Sequence, residues 1–336
     1  MRRFVIALLC TLTVPVFAQS PAPYHVARTY TLGGDGFWDY VIPDPARHRL
    51  FIGRQNRLMV VDERDGKLLG EVGGIDGAHG AALVPDTGRG FATSGEDASV
   101  VMFDLQTLKT LGRIPAGDDA DAIIYDPASK RVFSFNGDAN TTTVIDPAAG
   151  KAIVNVPLGG KPEAGASGLD GKIYINIVDK DEVVELDAKA AKVLRRWSTG
   201  SCHLPVSMAI DTVHHRLFSG CRSGVLAVSD YAAGKIVTTV PIGMGVDGAV
   251  FDATTGEVLT SNGEGTLSVI HEDAPDRYRV EQTLATAPAA RTMGWDPESR
   301  RLFLVSAKLN PPPPGARRGS LVPGSFMLIV VERSTG

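Results

Sequence analysis

The sequence predicts an all-β protein, a seven-bladed β-propeller built from four-stranded blades. Three observations predict it: one phrase recurs seven times, its copies keep a period of about 41 residues, and helical periodicity is missing throughout. The phrase is an Asp, a short turn, a basic residue and an apolar run. It reads "DPARHRLFIG" from Asp44, "DTGRGFATSG" from Asp86, "DPASKRVFSFNG" from Asp126 and "DGKIYINI" from Asp170. It returns as "DTVHHRLFSG" from Asp211, "DATTGEVLTSNG" from Asp252 and "DPESRRLFLVS" from Asp296. The intervals are 42, 40, 44, 41, 41 and 44 residues. A sandwich would explain many short strands but not seven equal periods.

A second phrase follows each first one, a β-branched run closing on an acid: "LMVVD" at Asp62, "VVMFD" at Asp104, "TTVID" at Asp146, "EVVELD" at Asp187 and "VLAVSD" at Asp230. Another strand comes after it, as in "KAIVNVPLGG". Each unit therefore carries about four strands punctuated by Gly, Asp, Asn and Pro. Both sets of Asp read as turn caps that accept backbone N–H groups. Asn136, Asn176 and Asn262, with Ser94 in blade two, read as residues tolerant of the turn after the second strand.

The last unit lacks its fourth strand, with strands expected at 292–296, 301–306 and 326–332 before the chain ends. A spare strand at 25–32, "TYTLGG", matches the fourth strands "VNVPLGG" and "VTTVPIG". It is expected to complete blade seven and hide the open edge. Residues 308–325, rich in Pro, Gly and Arg, interrupt blade seven and are expected to form a flexible loop.

Residues 1–18 read as a signal peptide: Arg2 and Arg3, an apolar run from Phe4 to Val14, and Val16 and Ala18 placed for cleavage before Gln19. The run is too short to cross a bilayer, and no later one is long enough. Residues 19–336 then form one domain, periplasmic or secreted, expected as a monomer. Removing the leader lowers Lys plus Arg from 34 to 32 against 38 acids, leaving a charge of about −6 that disfavours nucleic acid and anionic lipid. Two cysteines remain in the mature chain, Cys202 and Cys221, which in an exported protein most simply form one disulfide.

Chemistry is sought in the loops that join the fourth strand of one blade to the first of the next, because they gather at one mouth of the central channel. They supply Asp35, Trp38, Asp39, His79, Asp118, Asp119, Asp121, Lys161, Glu163, His203, Asp247 and Arg291. Convergent polar groups in a concavity make a candidate ligand site. His79 and His203, with Asp39 or Asp121, are the candidate ligands for a divalent cation, and no other cofactor is expected. No G-x-S-x-G, H-E-x-x-H, P-loop, C-x-x-C or EF-hand loop occurs.

The run from Cys202 to Asp273, with "DAIIYDPASKRVFSFNG" and "VPGSFMLIVV", resembles the YncE-like, YVTN-type β-propeller proteins over nearly the whole mature chain. The resemblance implies an exported seven-bladed protein. Some members of that family are reported to bind DNA; propeller lactonases and lyases look related in architecture, but their metal-binding carboxylates find no residue-by-residue match here. Two functions follow as expectations. One is a binding or interaction module with its ligand or partner at the channel mouth. The other is a metal-assisted hydrolase or lyase, lactonase-like, using Asp39, Asp121, Glu163, His79 and His203 at the same mouth.

Overall fold

A computed structural model describes residues 23–315 and 319–334 of the 336-residue chain. The expected signal peptide lies outside the described residues. Seven antiparallel sheets of four strands each make up the fold, each sheet strung in sequence order save the last. Blades one to six run over 41–72, 78–115, 120–157, 162–198, 205–241 and 246–285. Blade seven combines Met293–Asp296, Arg301–Ser306 and Met327–Arg333 with Tyr24–Thr31, the strand nearest the N-terminus. That strand pairs antiparallel along Met327–Arg333, so the ring closes on its own two ends as the sequence predicts. Only three short 3-10 turns stand in for helix among the described residues.

The recurring phrase has a mechanical reason. The second residue after its basic position is Phe51, Phe91, Phe133, Tyr174, Phe218, Leu259 or Phe303, each fully buried. Burying such a side chain contributes about 1.5–3 kcal/mol, and the layers between blades are filled this way. The residue before the basic position turns left-handed, at His48, Lys130, His215 and Arg300, with Gly at 88 and 256. In blades one, two, three and five the basic residue itself reaches the next blade. Arg49 donates to the Leu105 carbonyl (2.5 Å), Arg89 to Pro147 (2.9 Å), Arg131 to Lys189 (2.7 Å) and Arg216 to Pro275 (2.8 Å). Where blade four offers only Lys172, Arg195 takes over and donates to the Tyr231 carbonyl.

Three details differ from the sequence reading. Strand register puts Val84, not Asp86, and Gly168, not Asp170, level with the other first-turn Asp residues. Asn136 and Asn262 are not turn formers. They are buried, and their amides donate to Thr143 (2.8 Å) and Ser268 (3.0 Å) across to the third strand, because a buried amide without partners would cost more than the turn could return. Asn176 sits one register earlier and donates to the Ser207 carbonyl of the next blade (3.0 Å). The acids that end the third strands do cap their turns, as when Asp146 accepts from Ala148 and Ala149, both at 2.9 Å.

Cys202 and Cys221 form a disulfide with Cα atoms 5.5 Å apart, buried at the mouth end of blade five. The segment 308–325 is paired at its base: Leu309 bridges Leu321, and Val322 donates to the Lys308 carbonyl (2.9 Å). Leu309 and Leu321 pack against the core shared by blades seven and one, and residues 316–318 lie outside the described set. No described helix is long and apolar enough to cross a membrane.

Candidate functional site

First strands of adjacent blades are neighbours around the axis, so together they wall a central channel. Its middle is narrow because the strands carry Gly80, Ala81, Ala122, Ala164, Gly165, Gly248 and Ala249 there, leaving a cavity of about 180 Å³. At one end these strands begin, and their first pairings fix a common register. One residue beyond that pairing stand His79, Asp121, Glu163, Val206 and Asp247 in blades two to six. Arg291 and Asp39 join them from blades seven and one, around a cup of about 410 Å³. Six of seven blades thus present a charged or titratable side chain to one ring.

The ring is wired by hydrogen bonds and ion pairs. His79 Nδ1 lies 2.7 Å from Asp39 Oδ2 and 3.5 Å from Asp121 Oδ1. Asp121 Oδ1 is buried and accepts no hydrogen bond among the described residues. Arg291 Nε donates to Asp247 Oδ2 (2.5 Å), and its Nη2 lies 3.9 Å from Asp39 Oδ1. Arg222 bridges Asp247 (3.4 Å) and Glu163 (3.7 Å). Tyr40 lines both the cup and the narrow channel, so its ring marks the floor of one and the roof of the other.

Burial and crowded negative charge raise the proton affinity of three of these carboxylates, Asp121, Glu163 and Asp247. Burial, aided by the charge of Asp247, pushes Glu163 up to about 7. Asp121 rises well above the carboxylate range, chiefly through burial, with Asp39 and Glu163 adding to it. Burial also raises Asp247, against the pull of Arg291. For His79, burial alone would lower the imidazole. The Asp39 hydrogen bond and the charges of Asp121, Asp39 and Asp119 outweigh it and lift the group to about 9, so it is a cation at neutral pH.

A second recess of about 390 Å³ continues the cup toward blade seven. Phe37, Trp38, Ala289 and Leu309 give it an apolar wall, while Arg222, Asp247 and Arg291 are shared with the ring. The loop carrying Phe37 and Trp38 is held by Arg54, which is fully buried under Phe326 at 3.7 Å from the ring centre. Its guanidinium donates to four successive carbonyls, Gly33 (3.3 Å), Gly34 (3.2 Å), Asp35 (2.7 Å) and Gly36 (2.9 Å). Such a fork of parallel donors suits a curved strip of carbonyls.

Of the twelve residues singled out from the sequence, Asp39, His79, Asp121, Glu163, Asp247 and Arg291 meet in the ring, and Trp38 packs beside it. The others stand apart. Asp35 contributes its carbonyl to Arg54 and exposes its side chain. Asp118 is exposed, and Lys161 pairs with Asp119 (2.9 Å) and Asp138 (3.0 Å) outside the cup. His203 does not reach His79. It is largely exposed and bonds Asp181 Oδ2 at 2.7 Å, because it precedes the first pairing of its strand and Val206 fills the ring position in blade five. Sequence reasoning missed Tyr40, Arg222, Gln55 and Glu96. The last three lie in turns between second and third strands, which rise at the same face of the ring as the loops that were read.

No family model matches the chain, and no curated protein matches it. A solved structure, "Structure of U3-55K", superposes with a TM-score of 0.73 over 92% of this chain and 98% of its own, at 10% sequence identity. At that identity the likeness shows the fold alone, and the fold is that of a β-propeller.

Proposed function

We propose that the protein is an exported binding module of the YncE-like kind, and that its ligand occupies the cup at the mouth of the channel. One observation carries the reading: the same register position holds Asp, His, Asp, Glu, Asp and Arg in six blades, where the closure of a propeller asks only for small or apolar residues. The reading of residues 1–18 as a signal peptide supports export. The ligand class that suits the cup is a small molecule with a charged head and an apolar part, the head among Asp39, Glu163, Asp247 and Arg291 and the apolar part against Phe37, Trp38 and Leu309. Nucleic acid suits it poorly, since four of the six ring positions are carboxylates.

A thermal-shift screen of amino acids, polyamines and small carboxylic acids tests this. At least one compound is expected to raise the melting temperature of the wild type, and Glu163→Gln or Arg291→Gln should abolish that rise. A screen without a responder, or a response unmoved by both substitutions, would sink the reading.

A second reading is favoured by Asp39, His79 and Asp121, whose donor atoms lie within 4.8 Å of one another. One imidazole and two carboxylates fit a divalent cation, and the unbonded Asp121 Oδ1 supplies a free lone pair. A cation there would polarise a carbonyl or acidify a water, the chemistry of a hydrolase or lyase. Stoichiometric metal in the purified protein, lost on His79→Ala, together with turnover of a lactone, would favour this reading over the first.

A further inference from the structure

The geometry assigns a second site at the opposite face of the ring: Asp211, His214 and Glu272 bind a borderline divalent cation such as Zn²⁺ and tie blade five to blade six. Asp211 ends the strand Pro205–Asp211, whose first residue lies at the mouth. Six residues of extended chain, roughly 20 Å, separate the two ends. The site is therefore independent of the cup and of any ligand proposed for it.

Two departures from the repeat meet there. The third residue after the first-turn Asp is Arg47, Ser129 or Ser299 in blades one, three and seven, but His214 in blade five. Third strands of blades one to five are six residues long and close on an Asp. In blade six the matching position is His271, and the strand runs on to Ala274, nine residues in all. That extension carries Glu272 to the edge of blade five. Neither departure is needed for a propeller, and each without the other would place no cluster at this junction.

The cluster has the character of a ligand set. His214 Nδ1 lies 2.6 Å from Asp211 Oδ2 and 3.8 Å from Glu272 Oε2, and all three donor atoms fall within 4.8 Å of one another. Ligands held about 2.1 Å from one metal stand about 3.0–3.4 Å apart, so the His214–Asp211 pair would open by about half an ångström while Glu272 closes in by a similar amount. Asp211 and Glu272 are almost wholly buried, with 2% and 3% of their side chains exposed, whereas His214 is half exposed and gives access. Glu272 is the more telling of the two. The Tyr278 hydroxyl donates to its Oε1 (2.8 Å), Oε2 faces His214 at 3.8 Å, and the side chain lines a cavity of about 370 Å³. Two buried carboxylates side by side repel, and a single histidine is a poor match for both. A divalent ion neutralises the pair. One nitrogen and two carboxylate oxygens, with room left for water, suit zinc or its neighbours better than calcium.

Calorimetric titration of the mature chain with ZnCl₂ alone tests the assignment, with His79→Ala as parent so that the mouth cluster cannot contribute. The parent should take up one equivalent and gain melting temperature with zinc. Glu272→Gln and His214→Ala should each weaken binding by about tenfold or more and erase that gain. His214→Ala removes a half-exposed side chain and keeps the fold, so it decides the matter if Glu272→Gln misfolds. A parent that takes up no stoichiometric zinc overturns the site, and so does binding that His214→Ala leaves unchanged.

Discussion

Arg54 shows how one side chain can organise a surface. A guanidinium without solvent is costly unless its donors are used, and here four backbone carbonyls engage Nη1 and Nη2 beneath an aromatic face, while Nε finds no partner among the described residues. Burial, together with the neighbouring charge of Arg57, lowers its proton affinity to about 10, which still leaves it charged at neutral pH. Arg54→Met would leave those carbonyls unbonded and free the loop that carries Phe37, Trp38 and Asp39. A loss of about 2–4 kcal/mol is expected from denaturant midpoints, with Arg54→Lys recovering only part because an ammonium cannot fan across four acceptors. Equal midpoints for Arg54→Met and wild type would remove Arg54 from this role. The role of the residue is hidden in the sequence, where nothing in "GRQNR" marks Arg54 as buried and Arg57 as half-buried.

At the scale of elements, closure depends on Tyr24–Thr31. The strand covers the whole of Met327–Arg333, and the Tyr24 hydroxyl donates to the buried Glu257 of blade six (2.8 Å), which Arg333 also holds (2.9 Å). Removing residues 24–32 exposes an unpaired edge and strips that carboxylate of a partner. The truncated chain is expected to lose its single sharp thermal transition and to bind ANS. An unchanged melting curve would mean that the ring closes without it. This element was legible because its sequence repeats that of other fourth strands and the last unit was one strand short. The ring of charges was half legible: the loops gave the right six residues but also Asp35, Asp118, Asp119, Lys161 and His203, because a loop sequence does not say which side chain turns inward. Register says it. His79, Asp121, Glu163 and Asp247 are each one residue past the first pairing, whereas Lys161 precedes it, and only the pairing of strands reveals that difference.

For the molecule as a whole, the ring of carboxylates makes stability depend on pH in a defined direction. Unfolded, His79 returns to about 6.5 and Glu163 to about 4.5. Folded, they lie at about 9 and about 7, so between pH 4.5 and 9 the folded chain binds more protons than the unfolded one. Stability must then fall as pH rises through that window. Glu163 withdraws its share between about 4.5 and 7 and His79 between about 6.5 and 9, each about 1–2 kcal/mol once solvent at the open mouth is allowed for. Asp121 and Asp247, also raised, act in the same sense. Carboxylates held low by turn hydrogen bonds, such as Asp62 with Arg64 and Asp104 with Thr107, complete their titration below the window and do not oppose the trend. Melting temperature measured at constant ionic strength is therefore expected to decline from pH 5 to pH 9. Glu163→Gln should flatten the lower half of the decline and melt above wild type at pH 8, since it removes a carboxylate that the fold disfavours. His79→Ala should flatten the upper half and melt below wild type at pH 7, since it leaves Asp39 and Asp121 without their counter-charge. A profile level from pH 5 to 9, or a Glu163→Gln protein no more stable than wild type at pH 8, would mean that the mouth does not hold its charges as close as described.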